Sequence, residues 1–228
     1  MKNFYLTYSI AALMSLLVML STPVNAQADS TIQTTQDELL SIQQQWAKVN
    51  YQLSGKEQDK AYQALLSSIT ELSESNANSA EFAIWQGIIQ SSYAGAKGGL
   101  GALSYAKKAK KSLEHALNLD PNALSGSAYT SLGTLYHKVP GWPVAFGDDD
   151  TAKTMLEKAL TINPDGIDPN YFYGEFLFDE REYQQAKLTL EKALAAKPRA
   201  NRELADESRR AEVLALMQKV DAKLKAKS

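Results

Sequence analysis

One four-point pattern, written three times, constrains the fold of this chain more than any other feature. Ala152, Leu156, Ala159 and Pro164 follow one another at intervals of four, three and five. Ala186, Leu190, Ala193 and Pro198 repeat those intervals, and so do Ala109, Leu113, Ala116 and Pro121 upstream. Small residues and a leucine at helical spacing describe one face of a helix that packs closely on a partner. The proline then ends it, because it lacks an N–H and its ring clashes with the preceding turn. Each copy is therefore read as the second helix of a helix–turn–helix unit.

The first helix of each unit should carry a small residue where its partner approaches. Gly174 stands twelve residues before Ala186, and Pro164 to Pro198 is a step of 34. In the middle unit Tyr129, Leu132, Gly133 and Tyr136 complete a first-helix signature, with Tyr129 where tryptophan is usual. These residues resemble the tetratricopeptide repeat (TPR) family. The resemblance implies an all-α fold, a right-handed superhelical solenoid of antiparallel helix pairs closed by a C-terminal capping helix. A narrower likeness rests on Phe146-Gly147-Asp148 and on Asn163 to Gly174 (NPDGIDPNYFYG). That region looks like exported TPR proteins related to the T component of tripartite (TRAP) transporters. Such a likeness implies an oligomeric periplasmic helper that meets a solute-binding protein.

The first 28 residues read as an export leader. Lys2 supplies the positive start, Ile10–Leu20 the apolar core, Pro23 a break, and Ala26-Gln27-Ala28 a cleavage signal. Eleven apolar residues are too few to span a bilayer. The expectation is a periplasmic protein with no stable membrane anchor after cleavage. With no cysteine in the chain, disulfides and a lipidated N-terminal cysteine are excluded. Loss of Lys2 with the leader leaves 23 basic against 26 acidic side chains. That balance argues against a nucleic-acid binder, which needs a strongly basic face.

The body is expected as one repeat domain over 29–228, with residues 29–35 polar and irregular. Residues 36–72 form a degenerate first hairpin, since Ser73 stands where a proline is due. Repeats follow over 79–121, 127–164 and 169–198, and 203–226 is an amphipathic cap whose wet side carries Arg209, Arg210, Lys219 and Lys223. Together these make about five helical pairs. Gly95–Gly101 is expected as a glycine-rich hinge between helices. It lacks the Lys-Ser/Thr end of a phosphate loop, and no strand precedes it. Lys107, Lys108, Lys110 and Lys111 form a solvated face.

The middle repeat holds extra chain. From Gly133 to Ala152 is nineteen residues where twelve would serve, and the surplus, 137–150, has two prolines, two glycines, Trp142 and Phe146. Such a composition makes an ordered, irregular loop. Its two large rings either plug the groove between repeats or wait for a ligand. Tyr136 and His137 open this loop. Helix 170–180 adds Tyr171, Tyr173 and Phe176 to the candidate binding set, and Trp142, Phe146, Tyr136 and His137 complete it. Asp148-Asp149-Asp150 is read as the cap of the next helix rather than a metal site, because three consecutive side chains splay apart. Asp168 is read likewise as a cap, with Pro169 at the first helical position.

Catalysis finds little footing here. There is no thiol, only His115 and His137, and no serine in a nucleophile-elbow setting. No enzyme, cofactor or metal is expected. The expected role is non-covalent binding of a protein or peptide partner in the cell envelope, as an adaptor or scaffold. The alternative is an accessory part of a solute transport system, with a small-ligand cavity inside a homo-oligomer. An open groove edged with Asn and Lys would mark the first, and a closed apolar chamber the second.

Overall fold

The computed structural model describes residues 24–226, with side chains from residue 33 onward and Leu100 excepted. Most of the leader lies outside the described residues. The chain divides into two compact units, Met1–Thr35 and Gln36–Ser228. Of the first, residues 24–35 are helical, where an irregular segment was expected from residue 29. Core and cavity belong to the second.

Nine helices make up the described residues: α1 (Val24–Gln52), α2 (Gly55–Ser75), α3 (Ala80–Lys97), α4 (Gly99–Leu119), α5 (Ala123–Lys138), α6 (Asp149–Ile162), α7 (Ile167–Asp179), α8 (Tyr183–Ala195) and α9 (Glu203–Lys225). The tightest pairings are α3 with α4, α5 with α6 and α7 with α8. Counting α1 with α2 and leaving α9 unpaired gives four hairpins and a final helix, not five pairs. The fifth pair fails because α9 has no successor among the described residues; it packs back on α7 and α8.

The three-fold sequence pattern is a packing lock. Ala109, Leu113 and Ala116 are fully buried, as are Ala152, Leu156 and Ala159, and Ala186, Leu190 and Ala193. Each leucine presses against the glycine of the preceding helix. A Cβ placed on Gly87 would lie 2.5 Å from Leu113, on Gly133 2.6 Å from Leu156, and on Gly174 2.7 Å from Leu190. Glycine at these points lets two helix backbones approach to a distance no side chain would allow. The earliest unit keeps this lock despite its weak first-helix signature.

Helix starts follow short polar side chains where geometry permits. Ser79 caps α3 by accepting from the Phe82 N–H, and Asp148 caps α6 by accepting from the Thr151 N–H at 2.7 Å. The glycine-rich hinge expected over 95–101 is shorter than that. α3 runs to Lys97 and α4 begins at Gly99, and the break between them rests on Gly98 and Gly99, at φ +64° and +60°. Two glycines at positive φ turn the chain at a conformation side chains rarely adopt.

α9 ties the two ends of the second unit together. Its Ala205 joins the cluster of Ile42, Trp46, Tyr62, Phe82 and Trp85. Its Val213, Leu216 and Val220 join that of Phe176, Leu177, Leu190 and Ala193. Just before it, Arg202 donates to the Gln43 side-chain oxygen at 3.1 Å, and Asn201 O accepts from Gln44 at 3.4 Å.

Candidate binding cavity

The inner faces of α1, α3, α5, α7 and α9, with residues of α4, α8 and the connections, line a half-open cavity of about 1280 Å³. Trp46, Trp85, Ile88 and Phe172 give it apolar walls, and Ser91, Ser92, Ser127, Thr130, Ser131 and Thr134 line it with hydroxyls. Asn50, Asn163, Lys138, Lys192 and Lys197 also border it. One stretch of its wall is strained: Leu124 and Ser125 both hold left-handed backbone, at φ +46° and +55°. Such a conformation costs roughly 1–2 kcal/mol per non-glycine residue and tends to persist where the surroundings enforce it.

A part-buried ionic network, in which Asp206 and Arg209 are buried and Asp168, Arg199 and Glu212 half-buried, forms the far wall. Asp168 receives Arg199 at 2.7 Å on one carboxylate oxygen and Arg209 at 2.9 Å on the other. Arg199 also bonds Asp206, and Arg209 bonds Glu212 at 2.6 Å. The Arg209 guanidinium lies 4.5 Å from the ring centres of both Tyr171 and Phe172. Burial alone would raise the Asp168 pKa, but the charges of Arg209 and Arg199 outweigh it and hold the carboxyl at about 2. Burial likewise works against the Arg209 cation, and Asp168 overturns it, leaving the guanidinium above its ordinary range. Burial lifts the Tyr51 hydroxyl on the same wall to about 12.

Two sequence readings are corrected by this network. Asp168 does not cap α7: the helix opens at Ile167 after Gly166, with no side-chain cap, and Pro169 follows within the first turn. Its carboxylate turns instead to the two arginines, since charge-assisted pairs are stronger than a cap bond. Arg209 does not stand on a wet face but is 8% exposed. It is admitted to the interior because Asp168 and Glu212 neutralise it and two rings cover its faces.

The seven residues singled out from sequence border this cavity nowhere. Trp142 stands 89% exposed at the tip of the 139–147 loop, which backbone bonds close from Gly147 N–H to Pro140 O and from Asp148 N–H to Tyr136 O. Phe146 turns inward instead, edge-on to Tyr136 and against Ala94, Ala106, Ala109 and Leu135. Lys110 lies over both of those rings, so the lysine face is not wholly solvated. His137 bridges Asp149 at 2.8 Å and Asp179 at 2.9 Å and meets Phe176 edge-on. Phe176 is 3% exposed and stacks on Tyr173, whose hydroxyl bonds Glu157. Tyr171 packs on Arg209 and Phe172. These rings join α5, α7 and the loop to each other; Trp142 alone faces solvent.

Comparison with known proteins agrees with the helical-hairpin architecture. Residues 144–220 match the tetratricopeptide repeat family model. The described residues have an all-helical, TPR-like fold. No curated protein matches the sequence. Among solved structures the chain is similar to one titled the crystal structure of MamA, at 20% identity and a TM-score of 0.43, covering 75% of this chain and 94% of that one. TPR proteins commonly bind protein partners, which is the broad class the repeat implies here. Among the described residues no helix is long and apolar enough to cross a membrane.

Sequence reasoning passed over Trp85, Gln43, Arg199 and Arg202. One signal for the last two was present. The chain has five arginines, and four of them (Arg199, Arg202, Arg209 and Arg210) fall within twelve residues, whereas its other basic residues are lysines.

Proposed function

We propose that this chain binds a protein or peptide partner non-covalently in the cavity and serves as an adaptor or scaffold in the cell envelope. The observation that carries this reading is the cavity's edge and size. Lys138, Lys192, Lys197, Asn50 and Asn163 border a space of about 1280 Å³, larger than the roughly 300–1,000 Å³ typical of small-molecule pockets. Hydroxyls along the walls suit the backbone of an extended segment, and the tryptophans suit an apolar side chain. The leader-like first 28 residues support export to the periplasm as part of this reading. No chemistry on the bound partner is proposed.

A second reading, an accessory role in solute transport of the TRAP T-component kind, with a solute-binding protein as partner, has one observation in its favour. The stretch that carries that resemblance supplies Asn163, Asp165, Gly166, Ile167, Asp168 and Phe172 to the cavity wall.

Crosslinking capture from envelope extract tests the first reading, with native protein beside a Ser131→Trp variant that fills the cavity and a Trp142→Ala control. The expected result is a partner lost with Ser131→Trp and kept with Trp142→Ala, at matched thermal unfolding. A partner kept by the filled variant and lost by Trp142→Ala would move binding to the loop and sink the cavity reading.

A further inference from the structure

The cavity's three arginines are not equivalent. Arg199 and Arg209 share Asp168 and have Asp206 and Glu212 besides. Arg202 forms no ion pair among the described residues; its one side-chain partner is the neutral Gln43 oxygen at 3.1 Å. Its guanidinium lies 5.1 Å over the ring of Trp85, itself 4% exposed. Two buried donors of this stacked pair, Arg202 Nε and Trp85 Nε1, have no acceptor. Both residues line the cavity, as does Gln43.

We propose that Arg202, with Trp85 and Gln43 beside it, is the anchoring site for a single carboxylate on a ligand with an apolar body. This site rests on the cavity being the place of binding, and it sets the chemistry of what enters. What the site lacks is an acceptor, since both orphan groups donate, and buried donors left unpaired are costly. An isolated cation in a part-buried site calls for an anion. Burial, and then the like charge of Arg199, pull Arg202 below the ordinary arginine range, while its neighbours are raised by their carboxylates. One uncommitted guanidinium balances one negative charge, and its planar fork matches the two oxygens of a carboxylate. A phosphate dianion would bring a second charge toward Asp168, whose two arginines are already shared with Asp206 and Glu212. Trp46, Trp85, Ile88 and Phe172 then receive the apolar remainder.

The test uses the indole N–H resonances of the protein's three tryptophans, with that of Trp85 assigned by its loss in Trp85→Phe. Benzoate, its neutral isostere benzamide, inorganic phosphate and a capped Leu-Glu-Leu peptide amide are titrated in turn. Benzoate is expected to move the Trp85 resonance saturably and leave that of Trp142 in place. Benzamide and phosphate should bind more weakly by roughly tenfold or more, as should benzoate to Arg202→Gln. If benzamide matches benzoate, or if Trp85 does not respond to benzoate through the millimolar range, the carboxylate site is overturned. Should Arg202→Gln unfold, the benzoate and benzamide titrations of the native protein decide alone. A response to the peptide supports both the site and a partner's acidic side chain as its occupant. A response to benzoate without the peptide supports the site and counts against the peptide reading, which keeps the two failures apart.

Discussion

The 139–147 loop and the cavity wall are the two places where this chain departs from a plain stack of helices, and they are built in opposite ways. The loop gathers its unusual residues in one short run and shows its largest ring, Trp142, to solvent. The wall draws Gln43, Trp85, Asp168, Arg202 and Arg209 from four helices and a connection, burying Trp85 and Arg209 and half-burying the rest. The loop is held by its own backbone bonds, whereas the wall is held by side chains that depend on one another. Conspicuous composition therefore marks an exposed excursion, and the chemically committed surface is made of residues that look ordinary one helix at a time.

Asp168 should separate the two regions most sharply. Asp168→Asn leaves Arg209 buried with one carboxylate fewer and is expected to cost about 3–5 kcal/mol of stability in urea unfolding. Trp142→Ala, at an exposed tip, should stay within about 0.5 kcal/mol of the native chain. If the two variants unfold alike, the contrast between wall and loop fails.

The glycine locks give the next largest effect. Gly133→Ala and Gly174→Ala drive a Cβ to within 2.6 and 2.7 Å of Leu156 and Leu190. Each should lose about 1–3 kcal/mol by overpacking. Gly95→Ala, also helical but with nothing within 4 Å of the added Cβ, should instead gain roughly 0.4–1 kcal/mol by restricting the unfolded chain. Thermal unfolding of the three variants checks the sign as well as the size.

Acid sharpens the comparison further. The Asp168 carboxyl is held at about 2 in the folded protein against an ordinary value of 3.8. A depressed carboxylate stabilises above its unfolded pKa, and that contribution drains away as pH falls from about 4 to about 2. Roughly 2 kcal/mol should be lost across that window. Urea midpoints of native protein and Asp168→Asn should converge there. Parallel curves for the two would show that another group carries the acid response. Arg202→Gln should give the smallest change in stability of the wall variants, because no carboxylate is left behind unpaired.

How much of this was readable beforehand follows from the same contrast. The helix pairs were legible because Ala109, Leu113, Ala116 and their counterparts sit where the two helices of each of three hairpins touch, so packing writes itself at fixed spacing. Phe146 and Trp142 were legible as large rings on a loop, but which one turns inward depends on Ala94 and Ala106 in helices far along the chain. Arg209 read as a wet residue because an amphipathic helix has two faces, and only the fold reveals that Asp168 waits beside the second one. Arg202 and Gln43 lie 159 positions apart. Local spacing carries no trace of such a meeting.

That last contact has a consequence for how the protein comes into being. The repeats can form one after another as the chain leaves the ribosome, because each hairpin packs on its neighbours. The cavity cannot, since its wall needs Gln43 and Trp85 from the early helices, Arg202 from the last connection and Arg209 from α9. Contacts of such long range are the slowest to close. A nascent chain, or one clipped before Arg199, would thus carry well-made repeats and no anchoring arginine, and ligand capture would report that synthesis and closure were complete.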